Sequence, residues 1–127
     1  MRTMKNALNW FEIPARDIKR AKAFYEAIFD VQLGKTVLAN NLKMALFPTE
    51  TGTVGGALCE HPDFYHPGYQ GLLVYLNGNP DLQIVLDRIP RFGGKVLVPK
   101  TQISEQYGYM AVFEDTEGNR LALHSNS

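Results

Sequence analysis

Residues 17–29 read DIKRAKAFYEAIF. Asp17 stands where a helix N-cap belongs, and Ile18, Ala21, Phe24, Tyr25 and Ile28 recur at helical spacing to make one apolar stripe. Lys19, Arg20, Lys22 and Glu26 fall largely on the opposite face. The pattern predicts a helix from Asp17 to about Phe29 whose apolar side rests on a sheet. Upstream, residues 7–13 (ALNWFEI) are rich in aromatic and branched side chains and read as a strand that Pro14 ends. Downstream, the runs Val31–Leu38, Leu42–Pro48 and Val54–Glu60 read as three further strands, with turn chemistry at Asn40-Asn41 and Thr51-Gly52. The first half of the chain is therefore βαβββ.

Residues 60–70 (EHPDFYHPGYQ) interrupt this order, because two His-Pro pairs and a glycine exclude regular helix. The order then starts again. Residues 71–77 (GLLVYLN) read as a strand, and Asp81 caps a helix to about Phe92 that carries Leu82, Val85, Leu86, Ile89 and Phe92. Pro90 is expected to distort its last turn, and Gly93-Gly94 to stop it. Lys95–Val98, Tyr109–Glu114 and Arg120–His124 complete the second set of strands, with Asp115–Asn119 (DTEGN) as a hairpin turn. At one constant spacing Asp17 falls on Asp81, Ile18 on Leu82, Ile28 on Phe92, Leu33 on Leu97, Leu58 on Ala122 and Glu60 on His124. The expectation is one α+β domain over residues 1–127, with repeat one at about 7–60, a connection at about 61–70 and repeat two at about 71–127.

Composition narrows the function classes. The 127 residues suit a single domain, and a hydrophobic fraction of 45% allows it a sizeable core. Thirteen basic and thirteen acidic residues cancel, with no basic tract, which argues against nucleic acid as a partner. Cys59 is the single cysteine, so an intrachain disulfide is excluded. Met1–Trp10 lacks the apolar core of a secretion signal, and no apolar run of about 18 residues exists, so a cytoplasmic protein without membrane contact is expected. Dinucleotide-binding, phosphate-loop and serine-hydrolase signatures are absent.

The repeat resembles the vicinal-oxygen-chelate superfamily, which includes glyoxalase I, bleomycin-resistance proteins and extradiol dioxygenases. Asp17-Ile18 through Ala23-Phe24-Tyr25 to Ile28-Phe29 is similar to that family's first helix. Gly93-Gly94-Lys95-Val96 is similar to its glycine pair before the sixth strand, and Phe113–Asn119 to its Asp-Pro-x-Gly-Asn hairpin, with Thr116 in place of proline. The resemblance implies a glyoxalase-like eight-stranded fold of paired half-barrels around a cavity. It also implies metal ligands on the first and last strand of each half, where an ion would polarise substrate oxygens. Those positions fall here at Gly71 and Ala122, near Leu58, and near Leu8 or Trp10. None offers a donor to a hard or borderline metal, so no metal and no other cofactor is expected.

Strand alternation then selects the side chains that face the cavity. If Gly71 and Ala122 face inward, so do Tyr75 and His124; if Ile13 packs on the helix, Trp10 and Glu12 face inward. Glu12 is read either as a carboxylate paired at a wet rim or as a ligand-binding or general-base group. His124 is read either as a partly exposed polar residue or as a proton-transfer group. Trp10, Tyr75 and Tyr109 offer a flat ligand an aromatic wall, or serve as core or dimer contacts, and Lys100 offers an anion a charge, or is a surface lysine. His61 and His66, each before a proline, match no zinc spacing and are assigned to a solvated loop. Three functions compete: a metal-free binding protein of the bleomycin-resistance type for a small aromatic or anionic molecule, a metal-independent isomerase or lyase using Glu12 or His124, and a metal-dependent glyoxalase-type lyase. A homodimer is expected, because two open sheets leave edges to cover.

Overall fold

In the computed structural model, residues 1–34 and 37–127 are described, without the side chains of residues 37–39. Strand β1 (Trp10–Pro14) leads into helix α1 (Ile18–Phe29) and strands β2 (Val37–Ala39), β3 (Leu42–Leu46) and β4 (Gly55–Glu60). Strand β5 (Tyr75–Asn77) leads into helix α2 (Leu82–Arg88) and strands β6 (Lys95–Ser104), β7 (Gly108–Glu114) and β8 (Arg120–Ser125). Each half is one four-stranded sheet, in the order β1-β4-β3-β2 and β5-β8-β7-β6. The first strand pairs in parallel with the last, and the others pair antiparallel. The fold is α+β with two βαβββ halves, and neither sheet closes into a barrel. No described helix is long and apolar enough to cross a membrane.

Several boundaries differ from the sequence reading. β1 begins at Trp10 rather than Ala7, and β5 at Tyr75 rather than Gly71. Each is an edge strand with a single neighbour, and Gly71, at φ +91°, bends the chain away from an extended path. Val31–Gly34 is irregular, and residues 35 and 36 of the expected strand Val31–Leu38 lie outside the described residues. α2 stops at Arg88 and Pro90–Phe92 tightens into a 3₁₀ turn, the distortion that a proline without an N–H imposes. β6 continues past Pro99 to Ser104 with three register shifts, which an outer strand tolerates because one edge needs no ladder partner.

Both helices start in the same way. Asp17 accepts from the N–H of Lys19 at 3.1 Å and of Arg20 at 3.2 Å, and Asp81 accepts from that of Gln83 at 3.0 Å. Each first-turn N–H that remains finds a side chain on the last strand of its own half. Ile18 N–H donates to Glu60 Oε1 at 2.7 Å, and Leu82 N–H to Ser125 Oγ at 3.0 Å. One core runs through both halves, with Phe24 and Tyr25 of α1 packed against Phe113 of β7.

This packing corrects the repeat register. Leu58 pairs with Ile13 in the helix-covered core, and Leu123 pairs with Leu76 in the same core. The true counterpart of Leu58 is therefore Leu123, not Ala122, and Glu60 corresponds to Ser125, not His124. The spacing between equivalent residues grows by one from Ile13/Leu76 to Asp17/Asp81 and again to Leu58/Leu123. A constant spacing could not follow these length differences in the connections.

The Asp115–Asn119 hairpin fastens the second half to the first. Glu117 is buried and accepts from the N–H groups of Arg16 and Asp17, each at 2.8 Å, and from the Arg20 guanidinium at 2.8 and 3.0 Å. Asp115 accepts from the buried Tyr25 hydroxyl at 2.7 Å and from Asn119, whose amide also donates to Pro14 O at 2.7 Å. Burial pushes the Glu117 carboxyl up, but the bonds from Arg20, Asp17, Thr116 and Arg16 outweigh it and leave the group below its ordinary value. At Asp115 burial wins, and the carboxyl is raised in spite of Asn119, Tyr25 and the Glu117 N–H.

Candidate ligand-binding face

Each sheet has one face under the helices and one face free of them. Ile13, Leu58, Leu76, Ala111, Phe113, Leu121 and Leu123 all enter the helix-covered core. Alternation then turns Trp10, Glu12, Ala57 and Cys59 to the free face of the first sheet, and Tyr75, Met110, Val112, Ala122 and His124 to that of the second.

On the first sheet these residues form a polar cluster with a member from the connecting loop. The Tyr65 hydroxyl donates to Glu12 Oε1 at 2.6 Å, and the Trp10 indole N–H donates to Glu12 Oε2 at 3.3 Å. Cys59 lies buried beside them. Burial, then the Glu12 charge, push its thiol up to about 11 against the opposing Tyr65 hydrogen bond, so it is a neutral thiol near pH 7. The Tyr65 phenol is raised first by its bond to Glu12 and then by burial. Trp10 stays 42% exposed. None of the ion pairs among the described residues includes Glu12.

The second free face is built differently. Tyr75 is 50% exposed and pairs with Ala122, while His124 Nε2 meets the backbone carbonyl of Tyr107. Glu12 and His124 therefore lie on the helix-free side of two separate sheets. A cleft of about 1100 Å³ between the halves, floored by Phe11, Phe29 and Phe47 on the helix side, takes in neither. Nor does a smaller one of about 510 Å³ around Glu60–Pro67.

Two residues expected on the ligand wall are elsewhere. Tyr109 packs against the helix-covered core, since it alternates in phase with Ala111 and Phe113. Lys100 Nζ sits 4.5 Å from the centre of the Tyr109 ring and 2.8 Å from Asp81, the α2 cap, whose carboxyl it holds below the ordinary range. Lys100 thus braces α2 against β6. Tyr65 was missed in sequence because it sits in the irregular connection. Its position over β1 follows from the path of the loop rather than from any periodicity. His61 and His66 bond within that loop, to Asp63 N–H and Asp63 O.

The donor chemistry for a metal does not fit. Ala122 and its structural counterpart Ala57 end at Cβ, Gly71 lies in a loop without a side chain, and Leu8 lines the helix-side cleft. Among the described residues no group of three or more His, Cys, Asp or Glu is placed to hold an ion.

The glyoxalase/bleomycin resistance protein/dioxygenase superfamily model matches residues 7–123. The chain belongs to this superfamily. Its fold is shared with TnmS3, an antibiotic-binding protein from Streptomyces sp. CB03234, at TM-score 0.69 and 21% identity over 99% of this chain and 100% of that one. A glyoxylase/bleomycin resistance protein/dioxygenase domain from Frankia sp. EAN1pec matches at TM-score 0.70 and 16% identity, over 98% and 94% of the two chains. A glyoxalase I mutant from Zea mays matches at TM-score 0.64 and 16% identity, where 93% of this chain covers 45% of the maize protein. No curated protein matches the sequence significantly. This superfamily member thus keeps the fold and lacks donor side chains at the metal positions that the resemblance implies.

Proposed function

We propose that this glyoxalase-superfamily chain is a metal-free binding protein for a small molecule, of the antibiotic-binding kind. The observation that carries the reading is the Trp10–Glu12–Tyr65 cluster on a helix-free face whose neighbouring metal positions are alanine, glycine and leucine. Binding is favoured over metal-independent isomerase or lyase chemistry because Glu12 and His124 stand on different sheets and His124 Nε2 is engaged by a backbone carbonyl. A homodimer would set the free face of one half against that of the other half in a second copy and enclose the ligand. Edge strand β6 supports this, since it leaves Val96, Leu97, Val98 and Ile103 exposed. A cytoplasmic site of action accords with a single cysteine that forms no disulfide.

The test is a ligand screen by thermal shift on protein purified without added metal, with elemental analysis and light scattering. A ligand that raises Tm in proportion to the logarithm of its concentration, in a dimer without stoichiometric metal whose Tm ignores chelator, is the expected result. About one divalent ion per chain, with loss of stability on chelation, would overturn the metal-free reading. A monomer mass at micromolar concentrations would overturn the dimer.

A further inference from the structure

We propose that the first-half face recognises a positively charged ligand group, an ammonium or comparable organic cation held between the Trp10 and Tyr65 rings and the Glu12 carboxylate. This rests on the binding function proposed above and names its ligand class.

The residues present one sign of charge. Glu12 is an exposed carboxylate on a strand whose neighbours are Trp10 and Phe11 on one side and Ile13 and Pro14 on the other. Its two oxygens receive one neutral donor each, from Tyr65 at 2.6 Å and Trp10 at 3.3 Å. A carboxylate accepts about four hydrogen bonds, so lone pairs remain free on both oxygens. No cation neutralises Glu12 within the described chain. The two donors instead hold its position and bring an indole and a phenol ring beside it. Both rings carry negative π-faces, which attract cations and not anions. Cys59 and Tyr65, the other titratable groups of the cluster, stay neutral near pH 7, because the thiol is pushed up to about 11 and the phenol is raised by its bond to Glu12 and by burial. The anion-steering lysine that the sequence offered, Lys100, is engaged by Asp81 and Tyr109 on the other side of the second sheet. A carboxylate held by neutral donors, unpaired with any base among the described residues and flanked by two aromatic rings is a receptor for a cation.

Trp10 is the only tryptophan of the chain, so its fluorescence reports this site alone. The full chain, in the oligomeric state it adopts, is titrated at low salt with three benzyl compounds of similar size. These are benzyltrimethylammonium, the neutral benzyl methyl sulfone and the anionic phenylmethanesulfonate, followed by Trp10 emission and by calorimetry. The cation is expected to bind about tenfold more tightly than the sulfone, and the sulfonate more weakly than either. Glu12→Gln, which keeps the shape and one acceptor oxygen, is expected to bring the cation to within about twofold of the sulfone while sulfone binding is retained. The sulfone or the sulfonate binding as tightly as the cation overturns the charge assignment and leaves the first-half face standing as a binding surface. Unchanged cation preference in Glu12→Gln overturns the role of the carboxylate. If none of the three binds, the inference fails, and the broader ligand screen decides whether the binding function fails with it.

Discussion

The hairpin Asp115–Asn119 of the second half reaches the first helix and fills the seam with bonds, from Glu117 to Arg16, Asp17 and Arg20 and from Asp115 to Tyr25. The hairpin at the same place in the first half carries Glu50, Thr51, Gly52 and Thr53, and makes no side-chain bond to α2 among the described residues. Pro48–Glu50 and Asn79–Asp81 instead both line the cleft of about 1100 Å³. The same fold unit therefore closes one seam and leaves the other open. The helix caps, sheet orders and core positions repeat, so the difference lies in a few polar residues. Local structure is set by patterns that tolerate such changes, whereas a seam between halves depends on particular side chains at particular distances.

Breaking the closed seam should have the largest effect. Glu117→Ala leaves two backbone N–H groups and one guanidinium without their acceptor, and is expected to destabilise by about 3 kcal/mol in urea unfolding. Glu50→Ala, in the open seam, is expected to change stability by less than about 0.5 kcal/mol. Equal losses would remove the distinction between the seams.

Tyr25→Phe takes one donor from the buried Asp115 and should cost about 1–2 kcal/mol. Removal of the caps that the halves share sharpens the comparison from the other side. Glu60→Ala and Ser125→Ala each strip one acceptor from a helix first turn, and each should cost about 1 kcal/mol by the same measurement. A several-fold inequality between them would show that the two caps, though geometrically alike, are not equivalent.

The pH dependence of the closed seam has two opposed parts. The Glu117 carboxyl is depressed in the folded protein, so its contribution is present above the unfolded glutamate value of about 4.3 and is lost as pH falls through the folded value. Asp115 is raised, so its contribution is present below the unfolded aspartate value of about 3.9 and is lost as pH rises through the folded value. Glu117→Gln should therefore flatten the loss of stability on acidification below about pH 5, while Asp115→Asn should steepen it. Parallel acid profiles for wild type and Glu117→Gln, followed by denaturant midpoint against pH, would break this account.

The sequence by itself determined the element order, both helix caps, the Asn40-Asn41 turn (φ +50° and +67°) and the side of β1, β5 and β8 that meets a helix. Each of these is a property of neighbours along the chain. Periodicity, capping and turn chemistry act over a few residues and leave marks of fixed spacing. The face of Glu12 and of His124 was legible for the same reason. Tertiary structure alone decided that Leu58 matches Leu123, because insertions in the connections shift the repeat without altering either strand's pattern. It alone brought Tyr65 onto Glu12, from a loop with no periodicity to follow. It also drew Lys100 and Tyr109 away from the proposed ligand, since a lysine's partner and a tyrosine's face depend on which strand lies beside them. Sequence separation says little about distances across a folded core, and contacts such as Tyr65 to Glu12 or Glu117 to Arg16 exist only once both halves have packed.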